Sequence, residues 1–215
     1  VDNKSVHTVV KEVFENVKNY GDKSLIEYTK KFDNIELKTI EVEAKSITNS
    51  EFIISHKLKD SIDLAFRNIY KFHKSQIQKK EIIKINEGIS CWQEKRPIER
   101  VGFYIPGGTA PLFSTVLMLG IPSLIANCPN RILCTPPDKN GEIPVEVLYV
   151  CKICKIKNIF KVGGSQAIAA MTLGTETIPM VNKIFGPGNQ FVTTAKRYSM
   201  NFGVSIDMPA GPSEL

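Results

Sequence analysis

Three glycine-rich stretches of the chain each carry a polar side chain that could contact a ligand. They are Tyr104-Ile105-Pro106-Gly107-Gly108-Thr109, Val162-Gly163-Gly164-Ser165-Gln166 and Phe185-Gly186-Pro187-Gly188-Asn189. Glycine lets a ligand approach the backbone closely, and the free N–H groups at the start of a helix favour anions such as a pyrophosphate. A nucleotide cofactor is therefore the first ligand to consider for Tyr104, Gln166 and Asn189.

The elements that must position these side chains follow from the apolar pattern of the second part of the chain. The pattern predicts strands at 100–105, 131–135, 158–162, 183–185 and 204–207, and helices at 112–126, 145–154, 166–173 and 190–201. Continuous apolar strands that alternate with helices predict βαβ units, hence an α/β fold with a parallel sheet. The three turns would then follow the carboxyl ends of strands and meet at one edge, where open α/β sheets bind ligands.

The glycine spacing alone does not name the ligand. The dinucleotide fingerprint G-x-G-x-x-G is absent, since Phe191 stands where the third glycine after Gly186 and Gly188 would be. A single turn of this kind more often only connects a strand to a helix. The three together favour a binding site of unspecified ligand.

The first 97 residues differ in composition from the rest, with two glycines and one proline against twelve and eleven afterwards. This part is rich in lysine, and its apolar spacing predicts a helix that stops at Gly21, a second helix at 23–31 and a continued helical pattern over 50–78. Two short apolar runs at 82–85 and 89–92 flank Asn86-Glu87-Gly88, which predicts a hairpin.

The remaining candidates for chemistry are isolated. Cys151 and Cys154 have redox or zinc spacing but lie on a predicted helix without a second pair of ligands, so we interpret them as buried packing residues. His7, His56 and His73 stand alone in the helical part. From these residues we assign no catalytic group and no metal ligand to this chain.

Charge and cysteine content limit the partners and the compartment. The 28 basic and 22 acidic side chains are interspersed, which does not favour a nucleic-acid partner. No apolar run approaches the roughly 18 residues that cross a bilayer, so no membrane partner is expected. Five cysteines, an odd number, argue against a secreted disulfide framework and predict a cytoplasmic location.

Four long motifs resemble histidinol dehydrogenase. They begin at Arg96-Pro97-Ile98-Glu99-Arg100, which leads into the first glycine-rich stretch, and continue through the second and third to Ile206-Asp207-Met208-Pro209-Ala210-Gly211-Pro212-Ser213-Glu214. The first part is similar to the same family at Gly21-Asp22-Lys23-Ser24-Leu25. The resemblance covers nearly the whole chain, with its motifs in the family's order.

The resemblance implies a zinc-dependent homodimeric enzyme that oxidises L-histidinol through L-histidinal to L-histidine and reduces two NAD. In the family, the residues that match Tyr104, Gln166 and Asn189 contact NAD, and the one that matches Ser213 contacts the substrate. The implied organisation is a helical segment with a hairpin at 1–100 from an incomplete second α/β domain, a Rossmann-like NAD-facing domain at 101–205, and a return into the first domain at 206–215.

The departure from the family pattern lies at the carboxyl end. The family's zinc ligands and its Glu-His acid-base pair follow the Ala-Gly-Pro-Ser-Glu motif, where this sequence stops, so we expect a fragment with little or no turnover. Two alternatives stay open: a family paralogue that oxidises another polar alcohol, and a non-catalytic nucleotide-binding module. Substrate profiling would identify the first. For the second, NAD binding that both Gln166→Ala and Asn189→Ala weaken would support the site, whereas unchanged binding would remove it.

Overall fold

The computed structural model describes residues 3–108 and 111–208. Seven helices were found there, together with one 3-10 turn over Met200–Phe202. The helices are α1 Asn3–Asp33, α2 Ala44–Ile53, α3 His56–Lys74, α4 Phe113–Ile125, α5 Val145–Ile153, α6 Gly164–Leu173 and α7 Gln190–Ser199. The strands are β1 Ile82–Asn86, β2 Ile89–Trp92, β3 Arg100–Tyr104, β4 Asn130–Cys134, β5 Asn158–Phe160, β6 Lys183–Phe185 and β7 Ser205–Ile206. The predicted α/β fold class is confirmed.

Five of the strands form a parallel sheet in the order β5-β4-β3-β6-β7. The chain builds outward from β3 to β5 and then crosses back to place β6 on the other side of β3. The carboxyl ends of β3 and β6 therefore flank the point where the strand order reverses. Open α/β sheets bind their ligands in the crevice at such a point.

Side chains alternate along β3 between two hydrophobic cores. Val101 and Phe103 face a core formed with α2, α3, α4 and α5, whereas Tyr104 faces a core formed with α1, α6 and α7. This period of two is what a strand buried on both faces requires. It also decides that the Tyr104 ring lies on the same side of the sheet as α6 and α7.

The amino-terminal helices share both cores with the sheet. Helix α1 packs on α6 and α7, α2 on α5, and α3 on α4. The predicted boundary at residue 100 and the three predicted domain ranges stay predictions, because nothing in this packing shows how a second domain would be completed.

Helix α1 is kinked at Gly21, where the sequence predicts a helix end. Gly21 has φ 50° and ψ −131°, and helical structure resumes directly after it. The Glu176 carboxylate accepts a hydrogen bond from the Asp22 N–H at 2.8 Å, which ties the kink to the loop after α6. The glycine thus bends the helix and does not separate two distant elements.

The helical pattern over 50–78 is broken, contrary to the sequence-based prediction. Ile54 and Ser55 have extended backbones with ψ near 140°, so α2 ends at Ile53 and α3 begins at His56. The Ile54 side chain is buried in the core shared with α4 and α5. Tertiary packing at this residue overrides a periodicity that runs on through the sequence.

The hairpin is confirmed, with β1 and β2 antiparallel around a turn at 87–88. All nine of its strand residues are exposed.

Strand β5, at one edge of the parallel sheet, is covered by residues 40–42. The Lys161 N–H donates to the Ile40 carbonyl, and the Val42 N–H donates to the Ile159 carbonyl. No helix in the described residues is long and apolar enough to cross a membrane.

Candidate functional site

Tyr104, Gln166 and Asn189 line one cavity of about 730 Å³ at the carboxyl edge of the sheet. Tyr104 ends β3, Gln166 lies in the first turn of α6, and Asn189 is the residue before α7. The sequence places these side chains up to 85 residues apart, and the parallel topology brings them together as predicted. The cavity is large enough for part or all of a nucleotide-sized ligand.

Tyr104 supplies a buried phenol that joins two of the glycine-rich turns. Only 4% of the residue is exposed, and its hydroxyl oxygen accepts a hydrogen bond from the Gly164 N–H at 3.1 Å. Burial, together with a smaller contribution from the charge of Asp33, raises the pKa of Tyr104 to about 12. The phenol therefore stays protonated at neutral pH and keeps its own O–H to donate.

Gln166 supplies a carboxamide that is 1% exposed. Its Oε1 atom is buried and has no hydrogen-bond partner within the part of the chain that the structure describes. An unpaired buried acceptor is costly, by about 1–3 kcal/mol, unless water or a ligand satisfies it. The Gln166 side chain therefore fits a ligand that brings an N–H or O–H donor into the cavity.

Asn189 supplies the second carboxamide, and this one is exposed. Its Oδ1 atom caps α7 by accepting hydrogen bonds from the N–H groups of Phe191 at 3.0 Å and Val192 at 3.1 Å. Because the oxygen is committed to the helix, the Nδ2 group is the part of the side chain left for a ligand. The cap therefore fixes the position of the Nδ2 donor at the start of α7.

The turn that carries Asn189 is held by a charged pair. The Gly186 N–H donates to Asp207 Oδ2 at 2.8 Å, and Lys196 Nζ donates to the Gly186 carbonyl at 2.7 Å and forms an ion pair with Asp207. The Lys196 side chain is 7% exposed and that of Asp207 29%. Gly186 has φ 129°, and a Cβ atom there would lie 2.0 Å from the Tyr104 carbonyl oxygen. This position requires glycine.

The other two turns meet at Pro136. A Cβ atom on Gly163 would lie 2.6 Å from the Pro136 side chain, so the backbone of the second turn packs directly on the proline ring. Pro136 and Pro137 follow β4 and line the cavity. A proline pair directly after a predicted strand is the sequence signal for this wall.

Helix α1 adds cavity residues that the sequence does not reveal. Val9, Phe32 and Asp33 line the cavity beside Tyr104. Their participation depends on α1 packing across α6 and α7, which is a tertiary contact without a local motif. Of the described residues that line this cavity, Asp33 alone has a charged side chain.

A second cavity of similar volume, about 770 Å³, lies along the hairpin and is a weaker candidate. Its lining comes only from residues 78–95 and includes lysines and glutamates that pair with each other, such as Lys80 with Glu94 at 2.9 Å. Its lining includes no residue of the parallel sheet and no helix start. The cavity between the three glycine-rich turns is therefore the better candidate site.

The other predicted residues divide into buried cysteines and an untested serine. Cys151 and Cys154 are fully buried, and burial raises the pKa of Cys154 to about 12, as expected of packing residues. Within residues 3–108 and 111–208, no group of three His, Cys, Asp or Glu side chains could hold a metal ion. Ser213, the predicted substrate contact, lies outside the described residues, as does Thr109 of the first stretch.

Comparisons with known proteins agree on one family. The family model described as histidinol dehydrogenase matches residues 1–215. A histidinol dehydrogenase of Bacteroides thetaiotaomicron is 49% identical over all of this chain and half of its own length, and one of Schizosaccharomyces pombe is 46% identical over 98% of this chain and 48% of its own. The crystal structure of histidinol dehydrogenase from Elizabethkingia anophelis matches with a TM-score of 0.92 and 57% identity, covering 96% of this chain and 48% of that one. The chain thus spans about half the length of the relatives it matches.

Proposed function

Because the chain belongs to the histidinol dehydrogenase family, we propose that it carries the NAD-binding site of an enzyme of histidine biosynthesis. The reaction is the oxidation of L-histidinol through L-histidinal to L-histidine. In this proposal Tyr104, Gln166 and Asn189 bind NAD, and Ser213 contacts the substrate.

The observation that carries the proposal is the convergence of Tyr104, Gln166 and Asn189 on one cavity at the switch point of a parallel sheet. A non-catalytic connecting role for the three turns requires neither a shared cavity nor polar side chains directed at it. Each side chain also keeps an unused hydrogen-bonding group: the Tyr104 O–H, the Gln166 oxygen and the Asn189 Nδ2 group.

These groups fit NAD in number and type. The unpaired Gln166 oxygen accepts from a carboxamide or a ribose hydroxyl, while the Tyr104 and Asn189 donors suit ribose or phosphate oxygens. The first turns of α6 and α7 adjoin the cavity, where the helix dipole favours phosphate charge. When bound, NAD supplies the hydride acceptor, and the protein supplies binding and orientation.

Among the described residues, no group of three His, Cys, Asp or Glu side chains could hold zinc. We propose that the metal ligands and the acid-base pair belong to a part of the family's chain beyond the residues present here. The dependence on zinc and the homodimer, which the resemblance implies, and the cytoplasmic location, which the cysteine content indicates, stay predictions.

The test is NAD binding measured by titration calorimetry on the full gene product, with NAD reduction by L-histidinol measured alongside. Gln166→Met keeps the side-chain length but removes the amide, and we expect it to raise the Kd for NAD about tenfold, the effect of one to two lost hydrogen bonds. Asn68→Ala, an exposed residue of α3 outside the cavity, is the control and leaves the Kd unchanged.

Two substitutions of Asn189 separate its cap from its ligand contact. Asn189→Asp keeps an N-cap oxygen, so the free energy of unfolding should stay at the wild-type value. Asn189→Ala removes the cap and should lower it by about 1 kcal/mol. Both remove the Nδ2 donor and should weaken NAD binding. NAD affinity that matches the wild type in Gln166→Met and in both Asn189 variants would refute the proposed site.

A further inference from the structure

Asp33 is a charged group in a cavity whose other described lining residues are neutral. It is the last residue of α1, and the helix ends there because Asn34 adopts a left-handed backbone with φ 57°. Such a residue is a common helix terminator. The termination leaves Asp33 beside the Tyr104 phenol and the Pro136-Pro137 wall.

The Asp33 carboxylate has no hydrogen bond or ion pair with any other residue of the described ranges 3–108 and 111–208. Partial burial raises the pKa of this carboxyl above its ordinary value, and its charge in turn raises the pKa of Tyr104. As a residue Asp33 is exposed, so its carboxylate lies where solvent reaches the cavity. Its oxygens are therefore free to accept hydrogen bonds from a ligand that enters the cavity.

The acidic residue nearest to the end of β4 is already committed. In doubly wound dinucleotide-binding sheets an acidic side chain near the second strand binds the adenosine ribose. Here that neighbourhood holds Pro136 and Pro137, which offer no side-chain donor or acceptor, followed by Asp138. Its Oδ1 atom accepts from the N–H groups of Asn140 at 2.8 Å and Glu142 at 2.9 Å and so closes its own turn. Asp33, at the end of α1, lines the same cavity as the two prolines.

We propose that the Asp33 carboxylate accepts hydrogen bonds from the 2′- and 3′-hydroxyls of the adenosine ribose of NAD, and that it excludes a dinucleotide carrying a 2′-phosphate. This inference rests on the proposed function. A carboxylate accepts from a pair of neighbouring hydroxyls and repels a phosphate. Among the residues that the structure describes, no lysine or arginine lines the cavity to compensate that repulsion.

The test compares three dinucleotides by titration calorimetry on the full gene product: NAD, NADP, and NAD whose adenosine lacks the 2′-hydroxyl. For the wild type we expect NADP and the deoxy analogue each to bind at least about tenfold more weakly than NAD. For Asp33→Asn we expect the Kd for NAD to rise about tenfold, and removal of the 2′-hydroxyl to cost less than about twofold more.

Asp60→Asn is the matched control, since Asp60 is exposed on α3 and does not line the cavity. It should leave all three affinities unchanged. If Asp33→Asn binds NAD as tightly as the wild type, or loses as much affinity for the deoxy analogue as the wild type does, the role of Asp33 is refuted while the NAD site stands. If the wild type binds no NAD, the proposed function itself fails and the Asp33 proposal with it.

Discussion

The turns after β5 and β6 both deliver an amide to the same cavity, but they are stabilised in opposite ways. The turn after β6 is held by Lys196 and Asp207 at Gly186 and by the Asn189 cap on α7. The turn after β5 has no side-chain cap on α6, and its Gly164 N–H donates one hydrogen bond, to the Tyr104 hydroxyl oxygen. The unpaired Gln166 oxygen belongs to this second turn.

This difference indicates that the β6 turn mainly stabilises the fold, whereas the β5 turn mainly binds the ligand. Polar groups at the β6 turn are used within the protein, so their loss should lower stability first and ligand affinity second. Polar groups at the β5 turn are left for a ligand, so their loss should lower affinity with little effect on stability. The substitutions that follow test this division, beginning with the largest expected effect.

Replacing Gly186 by alanine should be the most damaging change at the β6 turn. The new Cβ atom would meet the Tyr104 carbonyl oxygen at 2.0 Å with φ at 129°. We expect the unfolding free energy to fall by about 3 kcal/mol or more in chemical denaturation, from steric overlap and backbone strain together. Gly203→Ala is the control, because Gly203 has φ 80° but open space around its Cβ position, and it should cost only about 1 kcal/mol. Equal losses would mean that the close approach to Tyr104 is not a constraint.

Replacing Lys196 by methionine should leave the Asp207 carboxylate without its cation. Because Lys196 is buried and Asp207 partly so, we expect a loss of about 2–3 kcal/mol of unfolding free energy. Lys30→Met, which breaks an exposed pair with Glu36, should cost less than about 0.5 kcal/mol. In the double variant Lys196→Met/Asp207→Asn the loss should be smaller than the sum of the single losses. Additive losses would show that the pair does not act as a unit.

Replacing Tyr104 by phenylalanine should have the smallest effect on stability, about 1 kcal/mol for one hydrogen bond to Gly164. We also expect the Kd for NAD to rise, because the substitution removes the phenol O–H that would donate to the ligand. Tyr20→Phe, at an exposed position on α1, is the control for both measurements. A Tyr104→Phe protein that is destabilised but binds NAD normally would assign the hydroxyl to the turn alone.

The sequence predicts the strands, helices and turns of the site better than the tertiary contacts that surround it. Strand β6 has the predicted limits, and α7 begins at the predicted Gln190, because alternating apolar strands and helices leave few ways to place them. The glycine-rich turns then identify Tyr104, Gln166 and Asn189 by topology alone. The predicted helix over 190–201 instead ends at Ser199 and passes into a 3-10 turn before Gly203.

Asp33 and the pairing of Lys196 with Asp207 are beyond prediction from the sequence for a common reason. Each depends on a contact between elements whose relative placement no local pattern encodes. In the sequence, Lys196 resembles a solvated lysine of an amphipathic helix, and Asp33 resembles an ordinary polar residue at a helix end. Only the packing of α1 and β7 against α7 and the sheet gives these side chains their surroundings.

The most direct test of the account is an NMR titration of the isotope-labelled protein with NAD. We predict that the side-chain amide signals of Gln166 and Asn189 and the backbone amide of Gly164, which reports on Tyr104, shift along one binding curve with one Kd. The hairpin indole of Trp92 should not move. Shifts at Trp92 with none at Gln166 and Asn189, or different Kd values for the two turns, would contradict a single shared site.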